Sequence, residues 1–214
     1  MAKSIFITAT NTDVGKTYTT LQLLHACGRA GLRPAVLKPI ETGVDPVAMD
    51  GTLLLETAKL YNEALAAYSV EEIVPIRFTL PAAPYVASGG KAIDLSVVFE
   101  RLEELKQISD VVFIEGAGGI LVPIDTRQSM LDIAKKADMT LLVTHDRLGC
   151  INDTLLNLAL FQQEKLAFQW CINVRDKETY KKITAPYLEA RFGEVFSVQE
   201  DVDVLLKRLV NCIY

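Results

Sequence analysis

Residues 3–17, KSIFITATNTDVGKT, form the stretch that decides the fold. Their first seven residues are an apolar, β-branched run, which predicts a β-strand over 3–9. Residues 16–30 follow with apolar side chains at helical spacing and stop before a glycine, which predicts a helix. A strand, a polar loop ending in Gly-Lys-Thr and a helix are together the context of a phosphate-binding loop.

The chemistry expected of this loop follows from its geometry. Backbone N–H groups at the start of a helix, together with the positive end of the helix dipole, hold phosphate oxygens. Gly15 lets the backbone approach the ligand, Lys16 can bridge β- and γ-phosphates, and the Thr17 hydroxyl can bind Mg²⁺. The loop departs from the common G-x-x-x-x-G-K-[ST] pattern, because Thr10 stands where that pattern has its first glycine.

Downstream, apolar runs alternate with stretches of helical periodicity. This alternation predicts right-handed βαβ crossovers and a mostly parallel sheet, in one three-layer α/β domain over 1–214 of the P-loop NTPase type. Further strands are predicted at 34–39, 110–116, 139–145, 167–174 and 194–198. Further helices are predicted at 51–67, 92–107, 152–165, 177–192 (where Pro186 is a potential interruption) and 200–211.

Charged residues stand where two of these strands end. Lys38 closes the second strand and Glu115 closes the strand at 110–116, followed by Gly-Ala-Gly-Gly. Asp50 is predicted in the loop between the second strand and its helix. Because ligands bind beyond the carboxyl ends of parallel strands, these side chains are expected to share a site with the loop at 9–17.

Composition narrows the partners. The chain has 214 residues, a net charge of −5, and 23% charged and 50% hydrophobic residues, which argues against a general affinity for nucleic acid. It has neither an apolar run of membrane-spanning length nor a secretion-signal pattern, so no membrane association is expected. The four cysteines are scattered, which predicts reduced thiols, a cytoplasmic location and no zinc site.

Several ordered blocks resemble the dethiobiotin synthetase family. The family's loop has five residues between its glycines, and ATNTDVGKT (9–17) fits that spacing, with Ala9 in place of the first glycine and Asn11 in place of an aspartate. The remaining blocks are KPIETG (38–43), FTLPAAPYVAS (78–88), IEGAGG (114–119), LGCIN (148–152) and WCIN (170–173).

The resemblance implies an enzyme that uses ATP and Mg²⁺ to join CO₂ to 7,8-diaminopelargonate, giving dethiobiotin, ADP and phosphate. It implies that Lys38 and Lys16 are catalytic, with Lys38 over the carbamate and γ-phosphate. A general-base role for Lys38 would require a lowered pKa, which flanking cations could produce. Mg²⁺ would be held by Thr17, Asp50 and Glu115.

The resemblance also assigns binding residues. Asn173 would contact adenine, and the 148–152 segment would meet the substrate's carboxylate tail across a homodimer interface, although Gly149 and Asn152 could equally cap a helix. The nucleotide residues would be Asp13, Val14, Gly15, Lys16, Thr17, Tyr18, Asp50, Glu115, Gly116, Ala117, Gly118 and Asn173. The substrate residues would be Thr12, Thr42, Gly149, Cys150, Ile151 and Asn152.

Two questions stay open at this level. GEVFSVQED (193–201) lacks the proline of the family's base-lining block, so selectivity among ATP, GTP and CTP is open. A regulatory switch ATPase of the partitioning type is the alternative function, although such proteins carry an extra lysine early in the phosphate loop. A cobyrinate-type amide ligase would need a glutaminase domain, which this length excludes.

Overall fold

The centre of the protein is a parallel five-stranded sheet. The computed structural model describes residues 2–211. Its strands are β1 (Lys3–Ala9), β2 (Pro34–Leu37), β3 (Ile40–Thr42), β4 (Ile76–Phe78), β5 (Val111–Gly119), β6 (Met139–His145) and β7 (Phe168–Asn173). The main sheet has the order β2-β5-β1-β6-β7, and β3 pairs with β4 in a small second sheet.

Helices cover both faces of the main sheet. They are α1 (Lys16–Arg29), α2 (Met49–Lys59), α3 (Val70–Ile73), α4 (Pro84–Ala87), α5 (Ser96–Gln107), α6 (Met130–Ala134), α7 (Cys150–Gln163), α8 (Lys177–Thr179), α9 (Ala185–Phe192) and α10 (Val198–Asn211). A 3₁₀ turn at Glu63–Leu65 and a π-helical turn at Tyr180–Thr184 complete the regular structure of the described residues. No helix within 2–211 is long and apolar enough to cross a bilayer.

The strand order determines which face each helix covers. The step from β1 to β2 runs in one direction across the sheet, whereas the steps to β5, β6 and β7 run in the other. Right-handed crossovers therefore put α1 on one face, where it packs on α10, and α5, α6 and α7 on the opposite face. The strands between these layers are buried on both sides, which explains their continuous apolar sequences.

The parallel sheet and the main helices confirm the fold predicted from the sequence. The predicted strand at 194–198 is wrong: only Ser197 bridges to Ile172, and a helix begins at Val198. The Ser197 hydroxyl accepts a hydrogen bond from the Glu200 N–H, and Asp201 accepts one from the Ser197 N–H. These caps start the helix before a strand can form.

Two further regions differ from the sequence prediction. Asp50 lies in the first turn of α2 rather than in a loop, because that helix begins at Met49. The segment around Pro186 remains helical, because Pro186 stands in the first turn of α9, where its missing N–H has no helical partner to lose. The small β3–β4 sheet was not predicted, since its strands are only three residues long.

Candidate active site

The loop at 9–17 connects β1 to α1 at the carboxyl edge of the sheet. Ala9 pairs with neighbouring strands, and the only non-glycine residues of the described chain with positive φ are Asp13 (57°) and Lys165, so Ala9 needs no glycine conformation. Gly15 caps α1 at φ 113°. A Cβ added to Gly15 would lie 2.1 Å from the Asn173 amide nitrogen, so both its conformation and its packing require glycine.

A buried charge cluster lies beside this loop. The Lys38 ammonium is 2.7 Å from Glu115 Oε1 and 2.9 Å from Asp50 Oδ2. The Thr17 hydroxyl donates to Glu115 Oε1 at 2.9 Å. Glu115 is completely buried and Lys38 is 4% exposed, so each charge depends on the other for compensation.

The two lysines differ in their proton affinity. Burial lowers the pKa of Lys38, but Glu115 and Asp50 outweigh it and hold that pKa above its ordinary value. Burial lowers the pKa of Lys16, with Glu115 opposing the change and Lys38 reinforcing it. Lys38 is therefore a fixed positive charge, and the lowered pKa that a general base would need is the opposite of what its neighbours produce.

Two residues that support this cluster were not singled out from the sequence. The Thr20 hydroxyl, one turn after Lys16, donates to Glu115 Oε2 at 2.8 Å. Glu41 accepts hydrogen bonds from the N–H groups of Asp50 (3.1 Å) and Gly51 (2.9 Å) and so caps α2. Thr20 could be predicted from the sequence, because it lies one helical turn after the Gly-Lys-Thr motif. Glu41 could not, because its hydrogen-bond partners depend on where α2 begins.

One cavity of about 360 Å³ collects most of the predicted site. Its lining includes most of the residues predicted to bind nucleotide, and also Ile40, Glu41 and Arg175, which were not predicted. Val14, Glu115 and Asn173 were predicted but do not line it. The lining is Thr12, Asp13, Gly15, Lys16, Thr17, Tyr18, Lys38, Ile40, Glu41, Thr42, Asp50, Gly116, Ala117, Gly118 and Arg175.

A second cavity of about 380 Å³ adjoins the first through Thr12 and Thr42. Its far wall is the Pro-Ala-Ala-Pro segment at 81–84, and its near wall includes Ala117 and Gly118. The β3–β4 sheet places Thr42 opposite Phe78, just before that segment. The β3–β4 sheet thus brings the 78–88 block next to the phosphate loop.

The predicted residues at 149–152 are not brought into this site within one chain. None of them lines the two cavities described above. None lines the groove between Thr10–Thr12, Gly119–Pro123 and α7, to which Thr12 also contributes. Gly149 caps α7 with φ 98°, Cys150 is buried, and Asn152 is exposed. The preceding Leu148 is 90% exposed, and Leu156 on α7 is 63% exposed.

A third cavity, of about 430 Å³, lies on the other side of Tyr18 and is lined by Asn173 and Gln199. Asn173 donates to the Val14 carbonyl at 2.7 Å and accepts from Gln199 Nε2 at 2.6 Å. Asn173 therefore lies at the predicted base end, but its amide already has partners on both sides. Gln199, from the segment at 193–201, also lines this cavity. It was not predicted as a site residue, because it belongs to no recognisable sequence motif.

The residues able to hold a metal are Glu115, Asp50 and Thr17. Among the described residues, no group of three or more histidine, cysteine, aspartate or glutamate side chains is arranged for a metal ion. These two carboxylates and one hydroxyl are oxygen donors of the kind that Mg²⁺ prefers, and the carboxylates already contact a cation, the Lys38 ammonium. The donor set fits a magnesium ion that takes its other ligands from phosphate and water.

Comparison with known proteins agrees with this geometry. A family model described as an AAA domain matches residues 3–198. A plasmid partition protein from Borrelia burgdorferi superimposes with a TM-score of 0.58 at 10% identity, covering 99% of this chain and 97% of its own. That likeness shows a shared P-loop NTPase-like fold and nothing finer.

Sequence relatives are more specific. The ATP-dependent dethiobiotin synthetase BioD of Sulfurovum sp. (strain NBC37-1) is 41% identical over 96% of this chain and 99% of its own. The protein of the same name from Wolinella succinogenes is 37% identical over 99% of this chain and 100% of its own. Identity at this level over nearly the whole length of both partners shows that the chain belongs to the ATP-dependent dethiobiotin synthetase family.

Proposed function

We propose that this protein catalyses the ATP- and Mg²⁺-dependent carboxylation and ring closure of 7,8-diaminopelargonate with CO₂ to dethiobiotin, in biotin biosynthesis. The observation that carries the proposal is the convergence of Lys16, Lys38 and Asp50 on one cavity beside the phosphate loop, with the buried Glu115 in contact with Lys38. Family membership supplies the reaction, and this cavity has the charges that phosphoryl transfer needs.

The nucleotide is proposed to lie along the start of α1. Backbone N–H groups over 13–18 would hold the phosphate oxygens, and Lys16 would contact the β- and γ-phosphates. The backbone at Gly116, Ala117 and Gly118 would line the opposite side, since these residues share the cavity with Lys16. Asn173 and Tyr18, which line the third cavity, would border the base.

Glu115, Asp50 and Thr17 would hold Mg²⁺ when the nucleotide is bound. When bound, the ion neutralises phosphate charge and fixes the orientation of the triphosphate. Thr17 already donates to Glu115, which keeps its hydroxyl oxygen turned toward the carboxylate. Glu41 fixes the first turn of α2 and with it the position of Asp50.

The proposed reaction has three steps. One amine of the substrate adds to CO₂ and loses a proton, giving a carbamate. A carbamate oxygen then attacks the γ-phosphorus of ATP, ADP leaves, and a carbamic-phosphoric anhydride results. The second amine attacks the anhydride carbon, phosphate leaves with the bonding electron pair, and the nitrogen loses a proton as the ureido ring closes.

Lys38 is proposed to stabilise negative charge throughout this sequence. The Glu115 and Asp50 contacts hold the pKa of Lys38 above its ordinary value, so Lys38 can face the carbamate and the γ-phosphoryl oxygens as a cation. Proton removal from the amines would fall to water or phosphate oxygens rather than to this lysine. The proposed contribution is electrostatic, and its size is typically about 10²–10³-fold in kcat.

The diamine is proposed to occupy the second cavity. Thr12 and Thr42 line both that cavity and the phosphate cavity, so substrate amines held between these hydroxyls would lie next to the γ-phosphate. The apolar 81–84 wall suits the hydrocarbon part of the substrate. This arrangement brings the two reacting molecules together without a further charged group.

The carboxylate tail of the substrate is proposed to bind a second copy of the chain. The backbone N–H groups at the start of α7, over Gly149, Cys150, Ile151 and Asn152, would receive it across a homodimer interface. Two observations support this: none of those four residues lines a cavity together with Thr12 within one chain, and Leu148 and Leu156 are exposed near them in the sequence. A cytoplasmic location, compatible with the buried free thiols of Cys27, Cys150 and Cys171, remains a prediction.

The alternative of a partitioning-type switch ATPase has less support. The likeness to plasmid partition proteins lies at about one-tenth identity and concerns the fold. The phosphate loop has Thr10, Asn11 and Thr12 in its early part and no lysine there. The Lys38 cluster also needs an explanation, which a phosphoryl-transfer enzyme provides and a switch does not.

The decisive experiment is a phosphate-release assay with diaminopelargonate, bicarbonate and Mg-ATP, with dethiobiotin identified by mass spectrometry. Phosphate release that requires the diamine is expected. Release of the same size without the diamine, or no release, would refute the proposal. Parallel Kd measurements for ATP, GTP and CTP test base selectivity, and a preference for ATP of about a hundredfold (about 2.7 kcal/mol) would exclude a permissive base site.

Mixing two inactive variants tests the shared site. In Lys38→Ala the catalytic half fails, and in Asn152→Asp the tail-binding half repels a carboxylate. If each site uses both chains, a mixed dimer has one intact site out of two. Random exchange in an equal mixture makes about half of the dimers mixed, so activity is expected to return to roughly a quarter of the wild-type value. No recovery in mixed dimers would place the whole site within one chain.

A further inference from the structure

Two carbonyl groups of the phosphate loop accept hydrogen bonds from side chains at the end of β7 and just after it. Asn173 Nδ2 donates to the Val14 carbonyl at 2.7 Å, and Arg175 Nη2 donates to the Asp13 carbonyl at 2.6 Å. Both contacts join residues about 160 positions apart in the chain. The phosphate loop is therefore fixed from outside as well as by the start of α1.

These contacts determine where the loop's N–H groups point. In a trans peptide plane the C=O and the following N–H point in opposite directions. Because the Val14 carbonyl points toward Asn173, the Gly15 N–H points away from Asn173. In the same way, the Asp13 carbonyl points toward Arg175, so the Val14 N–H points away from Arg175. Since Asp13 has a φ of 57°, a conformation that costs a non-glycine residue about 1 kcal/mol or more, the loop needs such support.

Gln199 on α10 fixes the orientation of the Asn173 amide. Gln199 Nε2 donates to Asn173 Oδ1 at 2.6 Å, while Gln199 Oε1 accepts from the Val174 N–H at 3.2 Å. Because the amide oxygen of Asn173 faces Gln199, its NH₂ group must face the Val14 carbonyl. Asn173 is only 4% exposed, so solvent does little to compete with this chain of bonds.

We propose that Gln199, Asn173 and Arg175 are positioning residues for the phosphate loop, which makes α10 part of the phosphate-binding machinery. Through this amide chain, the segment that lacks the family's base-lining proline would act on the triphosphate end of the nucleotide. The proposal rests on the proposed nucleotide binding at the loop. It gives Asn173 a function that does not depend on the identity of the base.

Inorganic tripolyphosphate separates this function from base recognition, because it has phosphates but no base. A residue that only contacts the base leaves tripolyphosphate affinity unchanged when it is substituted. A residue that orients the loop weakens tripolyphosphate, ATP, GTP and CTP by the same factor. Gln199 is the sharpest position to test, since it is uncharged and a charged Arg175 would also attract phosphate directly.

The experiment is calorimetric titration of tripolyphosphate and nucleotides, each with Mg²⁺, into wild type, Gln199→Met and Asn173→Leu. Gln199→Met keeps the side-chain length and removes both hydrogen bonds, and Asn173→Leu removes the donor to Val14 without adding a charge. A rise in Kd of about five- to tenfold for every ligand is expected, the size of one lost hydrogen bond of about 1 kcal/mol. Gln163→Ala, an exposed glutamine at the end of α7, is the control and is expected to bind as wild type.

Hydrogen exchange over residues 10–18 gives a second readout, and in Gln199→Met exchange there is expected to accelerate more than in the distant helix α5. The proposal is overturned if Gln199→Met binds tripolyphosphate within twofold of wild type, or if only one nucleotide is weakened. A wild type that binds tripolyphosphate and loses it on substitution, yet shows no diamine-dependent turnover, would refute the proposed reaction and support the positioning role. A wild type that binds neither ligand would refute both.

Discussion

The ammonium of Lys38 lies 2.7 Å from a carboxylate oxygen of Glu115, and both side chains are buried. The proposed catalytic lysine thus contacts a proposed metal ligand. A buried carboxylate without a cation would be costly, so the lysine neutralises the site that Mg²⁺ is proposed to enter.

Lys38→Ala is expected to reduce kcat by about 10²–10³-fold or more while leaving Kd for ATP within a few-fold of wild type. The variant removes a cation from the reacting oxygens but leaves the phosphate loop intact. Steady-state kinetics with calorimetric ATP binding measures both quantities. Lys135→Ala, which breaks an exposed ion pair with Glu164, is the control. A collapse of ATP binding in Lys38→Ala would instead make Lys38 a nucleotide ligand first.

Glu41→Ala is expected to lower the free energy of unfolding by about 1–2 kcal/mol, because the N–H groups of Asp50 and Gly51 lose their acceptor. It is also expected to weaken Mn²⁺ binding by the nucleotide complex, since Asp50 loses its fixed position. Urea denaturation and electron paramagnetic resonance of Mn²⁺ measure the two effects. Glu56→Ala, exposed on the same helix, should change neither, and equal effects in both variants would contradict the role of Glu41.

Gly15→Ala and Gly31→Ala form a matched pair. Both glycines have positive φ, 113° and 70°, so each alanine carries a backbone cost of about 1–2 kcal/mol. Only at Gly15 does the added Cβ meet another group, the Asn173 amide at 2.1 Å, whereas nothing lies within 4 Å at Gly31. Gly15→Ala is therefore expected to lose substantially more stability by urea denaturation and to lose ATP binding. Equal losses would show that the Asn173 contact is unimportant.

Asp138→Asn is expected to destabilise the protein at neutral pH but not in acid. Asp138 Oδ2 accepts from the N–H and the hydroxyl of Ser4, and these bonds outweigh burial to hold the pKa of Asp138 below its ordinary value. A lowered folded-state pKa means that the carboxylate stabilises the fold above its unfolded pKa of about 3.9, and that this stabilisation is lost as pH falls through the folded-state value.

The Asp138→Asn deficit is expected to be about 0.5–1 kcal/mol near pH 7, because Asp138 is exposed and solvent screens its charge, and to shrink as the pH falls below about 4. Urea denaturation across this pH range measures it. Asp203→Asn, which alters an exposed ion pair with Arg29, should show little difference from wild type at any pH. A deficit for Asp138→Asn that stays constant into acid would argue that its charge contributes nothing.

Local sequence was sufficient for the parallel sheet and for the charged edge. The strands are buried on both faces, so they appear as unbroken apolar runs. Lys38 directly follows β2 as expected, whereas Glu115 lies inside β5, which extends to Gly119 rather than ending near residue 116. The strand predicted at 194–198 was wrong because the apolar residues of this stretch favour a strand, whereas its capping residues start a helix at Val198. Ser197 with Glu200 three residues later is the signature of a helix start, and it was present in the sequence.

Residues that act through long-range contacts could not be found in this way. Arg175 contacts the phosphate loop, and Gln199 is connected to it through Asn173, only because the end of β7 and the start of α10 lie beside the loop. Neither residue belongs to a recognisable pattern. The start of α2 at Met49 could not be predicted from neighbouring residues, so Asp50 was expected in a loop. The side chain that caps this helix is Glu41, which lies in strand β3, eight residues before Met49. Such partners are set by the packed fold rather than by neighbours in sequence.

Strand β5 continues beyond Glu115 through Gly116, Ala117, Gly118 and Gly119, so one wall of the reaction cavity is almost bare peptide. A side chain at Gly116 would collide with Phe6, and one at Gly119 would press on the Ala9 carbonyl. This wall has no room to vary, and enzymes redesigned for longer or branched diamines must therefore be altered on the opposite side, at 81–84, where side chains already line the space.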